Sequence, residues 1–266
     1  MNSALDDKLD RIRQRFEQFL SWKINDEIGG LLGEIRENRW EAYFFGGVPR
    51  LIVSGTEWQQ PRDYDIVFAD PDFVGFTKYA ETLGGVKNRF GGYKLNIAGI
   101  EVDAWSLSDT WAFRKKHVQN VSFESLQKTV PFNVDSFLIE IFPQASGTKR
   151  NIYCDGFISA EESNTLDAIL KENPFPPLCL VRAVHLAHSM QLNWSSDLVA
   201  WMADISKTTS WIELKEIQLS HYGHIKYGCD YWDRLEKHLS ALVSNCSFTK
   251  FRPPSNDGTN EKYFSH

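Results

Sequence analysis

The chain has 266 residues, 42% of them hydrophobic and 24% charged, a composition that excludes disordered and fibrous proteins and is typical of a globular one. Its formal net charge is 29 − 35 = −6, without any block of like charges, and this argues against long duplex DNA as a partner. Because no apolar run approaches the roughly 20 residues of a membrane span and the four cysteines are widely spaced, we expect a reduced, cytoplasmic protein without a membrane partner.

Helical and strand patterns alternate in the first half of the chain. Hydrophobic periodicity predicts two helices before residue 40, strands at 41–45 and 66–68, a helix at 73–83, and a hairpin of strands 93–97 and 100–104. The first strand ends at Gly46-Gly47, and Ala98-Gly99 forms the turn of the hairpin. On the second hairpin strand, Glu101, Asp103 and Trp105 share the face opposite the apolar one, so these acids are not expected in the core.

The second half of the chain carries mainly helical patterns. The spacing of its apolar residues predicts helices at 137–141, 166–170, 178–184, 198–205 and 235–242. Pro143 and Gly147 lie in polar sequence and mark a domain boundary. We therefore expect an α/β domain at 1–145, an all-helical domain at 146–248 and a flexible polar tail at 249–266.

Paired acids next to a glycine turn form the pattern with the clearest chemical meaning. Asp63 and Asp65 are two residues apart at the start of a strand, so their carboxylates project from one face and can share a divalent cation. Asp103 or Glu101, on the neighbouring hairpin, completes the set, and Mg²⁺ is implied because three carboxylates this close repel one another. Gly46-Gly47 allows backbone N–H groups at the start of a helix to approach phosphate. The combination is typical of metal-assisted phosphoryl or nucleotidyl transfer.

These motifs also resemble a known family. The segments that carry the resemblance are GGVPR, DYDIVF, IEVDAW, PFNVDSFLIE at 131–140, IYCDGF to LDAIL at 152–170, and LCLVRAVHLAHSMQLNW at 178–194. Together they resemble the nucleotidyltransferases of the DNA polymerase β superfamily, in particular the head and neck domains of bacterial poly(A) polymerases and CCA-adding tRNA nucleotidyltransferases. The resemblance covers roughly residues 40–205.

The resemblance implies a fold and an activity. The fold is α+β, a mixed-sheet nucleotidyltransferase head with flanking helices at 1–145 followed by an all-helical, neck-like domain at 146–248. The activity is Mg²⁺-dependent transfer of NMP from an NTP such as ATP to a hydroxyl group. The catalytic carboxylates, holding two Mg²⁺ ions or Mn²⁺ in their place, are Asp63, Asp65 and Asp103, with Glu101 as the alternative third carboxylate. The resemblance assigns the nucleotide to Gly46, Gly47, Arg50 and Arg182.

Departures from the family pattern bear on specificity. The family has an acid where Leu51 stands, and its neck helix has an Asp and an Arg that read the base where Pro176 and Cys179 stand. His185 replaces a further arginine of the neck helix. Because the base-selecting residues are absent, standard CCA addition is not predicted. The acceptor stays open between an RNA 3′ end, such as that of tRNA, and a protein or small molecule.

Two other interpretations compete with these assignments. A catalytically silent nucleotide-binding or scaffolding protein of the same fold accounts for the altered neck positions, although the intact acids argue against it. A zinc site at His221, His224 and Cys229, with Cys246 as the fourth ligand, has unconvincing spacing, so ordinary packing is the favoured explanation of these residues.

Overall fold

The chain forms two compact units. A computed structural model describes residues 3–22, 24–54, 61–145, 147–244 and 250–256. The first unit comprises Met1–Val130 with Val134–Phe157, and the second comprises Pro131–Asn133 with Ile158–His266. The change from one unit to the other after Phe157 comes later in the chain than the expected boundary at 145/146.

A mixed sheet with helices forms the first unit. Its elements are α1 (Ser3–Trp22), α2 (Ile24–Glu37), β1 (Ala42–Phe45), α3 (Gly47–Ser54), β2 (Asp63–Phe68), α4 (Asp70–Thr82), β3 (Val86–Lys87), β4 (Tyr93–Ile97), β5 (Ile100–Ser106), α5 (Trp111–Arg114), α6 (Phe123–Leu126), β6 (Leu138–Glu140) and β7 (Ile152–Tyr153). The seven strands lie in the order β3-β4-β5-β2-β1-β6-β7. β2 and β5 are parallel, whereas the other neighbours are antiparallel. The predicted α+β class is thereby confirmed.

Strand pairing places the side chains of the central strands on two faces. Phe45 is opposite Asp65, and Asp65 is opposite Asp103, so these three residues form a row across β1, β2 and β5. Val67 and Trp105 form the next row, because successive residues of a strand alternate between faces. One face of the sheet therefore carries acids at one end and large apolar side chains at the other.

A hydrophobic cluster covers the apolar end of that face. Its buried members are Tyr43, Phe45, Val67, Leu107, Phe113, Phe123, Leu126, Val130 and Leu138, and Trp105 packs against them partly buried. The cluster draws on β1, β2 and β6 and on the segment 107–130, which follows β5. Burial of large apolar side chains contributes roughly 1.5–3 kcal/mol for each, so this segment is held firmly on the apolar end of the face.

Helices predominate in the second unit. After α7 (Asp155–Ser163), which begins in the first unit, come β8 (Thr165–Leu166), α8 (Pro176–Met190), β9 (Asn193–Ser195), α9 (Ser196–Ser206), α10 (Trp211–Tyr222), α11 (Cys229–Ser244) and β10 (Lys250–Phe251). Two helices begin at serine caps, where Ser195 Oγ accepts from the N–H of Leu198 at 3.0 Å and Ser210 Oγ accepts from that of Glu213 at 3.2 Å. The predicted helical character holds, and a short sheet in the order β10-β9-β8 accompanies it.

Three sequence predictions about local structure are wrong. The expected helix at 137–141 is β6, whose three residues are all buried, and a fully buried strand gives the same apolar run as a buried helix. The helix expected at 166–170 does not start at Leu166, because this residue is the second residue of strand β8. A flexible tail from Thr249 is wrong for Lys250 and Phe251, because they pair with β9; Thr249 itself and residues 257–266 lie outside the described residues.

His188 packs within the second unit, and the free cysteines are divided between the two units. His188 Nε2 lies 2.9 Å from the Tyr231 hydroxyl, and burial lowers the pKa of this histidine. Cys154 and Cys179 are buried free thiols and Cys229 is an exposed one, while Cys246 lies outside the described residues. Among the described helices, none combines the length and the apolar character that crossing a membrane requires.

Candidate active site

A glycine turn joins β1 to α3. Gly46 has a φ of +69°, which a side chain would strain, and its N–H donates to the Phe137 carbonyl at 3.1 Å. A Cβ atom on Gly46 would lie 3.7 Å from Asp65 Oδ2, so the turn passes beside that carboxylate. A Cβ atom on Gly47 would meet no other part of the described chain within 4 Å. The turn therefore explains Gly46, whereas no contact with the residues that the structure describes requires glycine at 47.

The helix after the turn starts in a way that its sequence favours. Pro49 lies in the first turn of α3, where a missing N–H costs no helical hydrogen bond. Arg15 of α1 donates from Nη1 to the carbonyls of Ile52 and Val53 at 3.2 and 3.1 Å, near the other end of the helix. The N–H groups of the first turn, next to Gly47, have no partner within an α-helix and are available to an anion.

The predicted carboxylates meet on one face of two parallel strands. Asp63 is directly opposite Glu101, and Asp65 is directly opposite Asp103. The side chain of Asp63 is 22% exposed and that of Asp103 is 27% exposed, whereas Glu101 is 52% exposed. Asp103 is thus both the cross-strand partner of Asp65 and the more sheltered of the two candidates for the third carboxylate.

Cationic side chains contact these acids. Lys94 on β4 places Nζ 3.4 Å from Glu101 Oε2 and 3.8 Å from Asp103 Oδ2. Arg62 Nη2 lies 2.6 Å from Asp63 Oδ2. Burial raises the pKa of the Asp103 carboxyl, Asp63 and Glu101 raise it further, and Lys94 opposes the rise. The acids therefore repel one another, and positive charge nearby stabilises their ionised forms.

The donor set has the chemistry that Mg²⁺ prefers, because it consists of carboxylate oxygens that converge from adjacent strands. As placed in the described part of the chain, no three or more His, Cys, Asp or Glu side chains form a group that could hold a metal ion. Asp63 and Asp103 point toward Arg62 and Lys94 instead. A metal would consequently be held by Asp63, Asp65 and Asp103 only after rotation of these side chains.

Arg50, which the resemblance assigns to the triphosphate, forms an ion pair. Its Nη1 contacts Asp135 Oδ1, and the side chain of Asp135 is only 4% exposed. Sequence reasoning missed Asp135, although it stands within the quoted segment 131–140. The arginine side chain is itself 22% exposed, so it lies at the surface end of a buried pair.

Arg182 lies in the second unit. It lies on α8, and its guanidinium carbon is 6.0 Å from the ring centroid of Phe132. Of the neck-helix positions that depart from the family pattern, Cys179 is buried and Pro176 is the first residue of α8. The structure therefore places Gly46 beside Asp65 and pairs the carboxylates on β2 and β5, whereas Arg50 is described only by its contact with Asp135, and the assignments of Arg50 and Arg182 to the nucleotide stay predictions.

One residue that contacts the acids, Lys94, was overlooked in the sequence. Lys94 is directly opposite Asp103 on β4, and the hairpin register that the sequence predicts would have revealed this pairing. Trp105 is confirmed on the same face as Asp103, and its Nε1 donates to Thr110 Oγ1 at 3.0 Å. Its ring also makes an edge contact with Phe45, at 6.2 Å between centroids.

These features define a nucleotidyltransferase-type head: a mixed sheet with carboxylates on a parallel strand pair beside a glycine turn. Searches with the sequence alone find no matching family model and no matching curated protein. Comparison of structures finds the expected fold. The chain is similar to a CCA-adding enzyme complexed with CTP, at 16% identity and a TM-score of 0.59, covering 88% of this chain and 55% of the other.

Two further solved structures show the same likeness. A Thermotoga maritima CCA-adding enzyme complexed with tRNA is 15% identical, with a TM-score of 0.56 over 80% of this chain and 50% of the other. A tRNA-processing enzyme in an apo form is 16% identical, with a TM-score of 0.55 over 83% of this chain and 57% of the other. The chain thus spans little more than half of these proteins, and the likeness confirms the predicted nucleotidyltransferase fold.

Proposed function

We propose that the protein is a Mg²⁺-dependent nucleotidyltransferase that moves NMP from an NTP to a hydroxyl group of an acceptor. One observation carries the proposal: Asp65 and Asp103 are directly paired on parallel strands, with Asp63 on the same face and the Gly46 turn alongside. An acidic cluster of this kind is costly to maintain in a protein that does not use it. The fold shared with CCA-adding enzymes supports the same chemistry.

Each group at the site has a role in this proposal. Asp63, Asp65 and Asp103 hold the metal, and Glu101 is the alternative third carboxylate. Mg²⁺, or Mn²⁺ in its place, would neutralise charge on the triphosphate and lower the pKa of the attacking hydroxyl. The first-turn N–H groups of α3, next to Gly47, bind phosphate oxygens.

Two arginines are also given roles in the proposal. Arg50 is proposed to bind the triphosphate, and its contact with Asp135 orients the side chain. Arg182, on the neck-like helix α8, is proposed to contact the nucleotide. Neither arginine is proposed to select the base.

The acceptor is proposed to be an RNA 3′ end. The chain is similar to enzymes whose structures contain tRNA, and this favours RNA over a protein or small-molecule acceptor. Standard CCA addition is not proposed, because Pro176 and Cys179 stand where the family has base-reading residues. We further propose that the protein acts in the cytoplasm.

A label-transfer experiment tests the proposal. The protein is incubated with Mg²⁺, each α-labelled NTP in turn, and total RNA or purified protein fractions. We expect label on RNA with one or two of the four nucleotides. Label on protein alone would contradict the RNA acceptor. NTP binding without any transfer would favour the silent nucleotide-binding alternative, which the engagement of Asp63 and Asp103 with cationic side chains also supports.

Replacing Gly47 with alanine separates phosphate binding from folding. The new methyl group would meet no described protein atom within 4 Å, so the free energy of unfolding should stay equal or rise by up to about 1 kcal/mol. The same methyl group would keep phosphate from the first turn of α3, so we expect KM for the NTP to rise about tenfold. Steady-state kinetics and denaturant unfolding measure the two effects.

A matched control for this substitution is Gly33→Ala. Gly33 lies in α2, where an added Cβ atom also meets nothing within 4 Å, but far from the glycine turn in sequence. Its KM should equal that of the wild type. An unchanged KM in Gly47→Ala as well would contradict phosphate binding at this turn.

A further inference from the structure

A basic and aromatic surface lies on the first unit, outside the candidate active site. It is formed by the turn before β4 and by the end of α5 with the residues after it: Arg89, Phe90, Trp111, Arg114, Lys115, Lys116 and His117. We call it the basic–aromatic surface. Arg114 Nη1 donates to the Phe90 carbonyl at 2.9 Å and so joins its two parts.

Aromatic rings alternate with cations on this surface. The Arg89 guanidinium lies 4.8 Å from the centroid of the Phe90 ring. The rings of Trp111 and His117 stack at 4.9 Å between centroids, with 28° between their planes. Such flat groups beside cations are the usual platform for unpaired bases, because every base offers a π face for stacking.

The surface is strongly basic in a chain whose net charge is −6. Arg114, Lys115, Lys116 and His117 are consecutive and exposed. Within the ranges that the structure describes, neither Lys115 nor Lys116 forms an ion pair with an acid. An acid does lie against the neighbouring turn, since Asp109 Oδ2 is 3.1 Å from where a Cβ of Gly91 would be.

Lys116 occupies a backbone position that glycine would fill with less strain. The N–H of Lys116 donates to the Phe113 carbonyl, and that of His117 donates to the Ala112 carbonyl, so the chain leaves α5 in a Schellman turn. Lys116 has the left-handed φ of +60° that this turn demands. Strain of this kind is often retained where a side chain has a function, and here the side chain is a cation at the surface.

A hydrogen bond links the strand of the candidate active site to the helix of the basic–aromatic surface. Trp105 lies two residues after Asp103 on the same face of β5, about 7 Å further along the strand. Its Nε1 donates to Thr110, the residue immediately before α5. Trp105 thus connects the strand that carries Asp103 to the start of the helix that carries Trp111.

We propose that the basic–aromatic surface binds the single-stranded segment that leads to the 3′ end of an RNA acceptor. Lys115 and Lys116 contact phosphates, and the stacked pair Trp111–His117 receives a base. An acidic peptide would use the lysines but not the aromatic platform, so single-stranded RNA is the better fit. The inference rests on the proposed function, because it places the RNA hydroxyl at the carboxylates.

Salt-dependent RNA binding tests the surface without requiring transfer. The full chain is titrated with a short unstructured RNA labelled with fluorescein, in the absence of NTP, over a series of salt concentrations. Loss of two phosphate contacts in Lys115→Gln/Lys116→Gln should reduce the slope of log K against log[salt] by about 1.4. The control Lys78→Gln/Lys215→Gln, which removes two other exposed lysines, should keep the wild-type slope.

A second variant distinguishes function from structure. Lys116→Gly relieves the left-handed backbone, so its thermal midpoint should equal or exceed that of the wild type while its salt slope falls by about 0.7. Trp111→Ala should weaken binding about tenfold at every salt concentration. A stable Lys116→Gly protein with wild-type RNA affinity would overturn the inference, and so would a wild type that does not bind the RNA at low salt.

The experiments distinguish failure of the proposed transfer chemistry from failure of the proposed RNA-binding surface. If the wild type binds RNA through these lysines but transfers no label, the surface stands and the chemistry is wrong. If label reaches RNA equally well in the wild type and in Lys115→Gln/Lys116→Gln at limiting RNA, the chemistry stands and the surface is wrong.

Discussion

Replacing Asp65 with asparagine is expected to reduce the rate of nucleotidyl transfer by about 10³-fold or more, because one of the charges proposed to hold the metal is lost. Asp65 is the central residue of the row, with Phe45 on one side and Asp103 on the other. The backbone pairing of β2 does not depend on this side chain, so the fold should persist. The measurements are kcat/KM for transfer and the thermal midpoint.

Parallel substitutions identify the third carboxylate. Asp103→Asn should lose as much activity as Asp65→Asn, whereas Glu101→Gln should lose less than about tenfold, because Glu101 is twice as exposed and is paired with Asp63 rather than Asp65. Asp204→Asn, which removes an exposed acid of the second unit, serves as a control and should leave transfer unchanged. Wild-type turnover by Asp65→Asn would rule out the site.

Replacing Arg50 with methionine is expected to destabilise the first unit by about 3–5 kcal/mol, because it removes the guanidinium that pairs with the buried carboxylate of Asp135. The side chain of Asp135 is 4% exposed, so water cannot substitute for the guanidinium. Denaturant unfolding of the full chain, followed through the transition of the first unit, measures the loss.

Two controls accompany this substitution. The double variant Arg50→Met/Asp135→Asn should recover at least half of the loss, since it removes the buried charge together with its partner. Arg62→Met breaks an ion pair whose arginine is 55% exposed, and this should cost less than about 1 kcal/mol. Equal costs for Arg50→Met and Arg62→Met would show that the Arg50 pair is not buried in solution.

The sequence was most informative where patterns are local. Alternation around Ala98-Gly99 predicts the hairpin of β4 and β5, and the observed register confirms it by pairing Ile97 with Ile100. The position of the two aspartates at the start of β2 follows from the apolar run that they precede. Both features depend on neighbours within a few residues, so a single sequence contains enough information to predict them.

Long-range features were harder to predict. β6 has three residues that are buried on both faces of the sheet, so no alternation distinguishes this strand from a helix. The pair of Arg50 and Asp135 joins residues 85 positions apart, and no local pattern marks either residue as the partner of the other. The parallel register that puts Asp65 opposite Asp103 is likewise a property of the assembled sheet.

Hydrophobic contacts anchor the segment 107–130 to the sheet, and they determine which of its residues can be substituted without loss of stability. The segment begins after β5 and passes over the face of the sheet, where Leu107, Phe113, Phe123 and Leu126 fix it in the cluster. Between these anchors its exposed residues vary at little cost to the sheet, because surface loops tolerate changes in length and sequence. Residues 107–130 can thus change between their anchors while the strands that carry Asp65 and Asp103 keep their pairing.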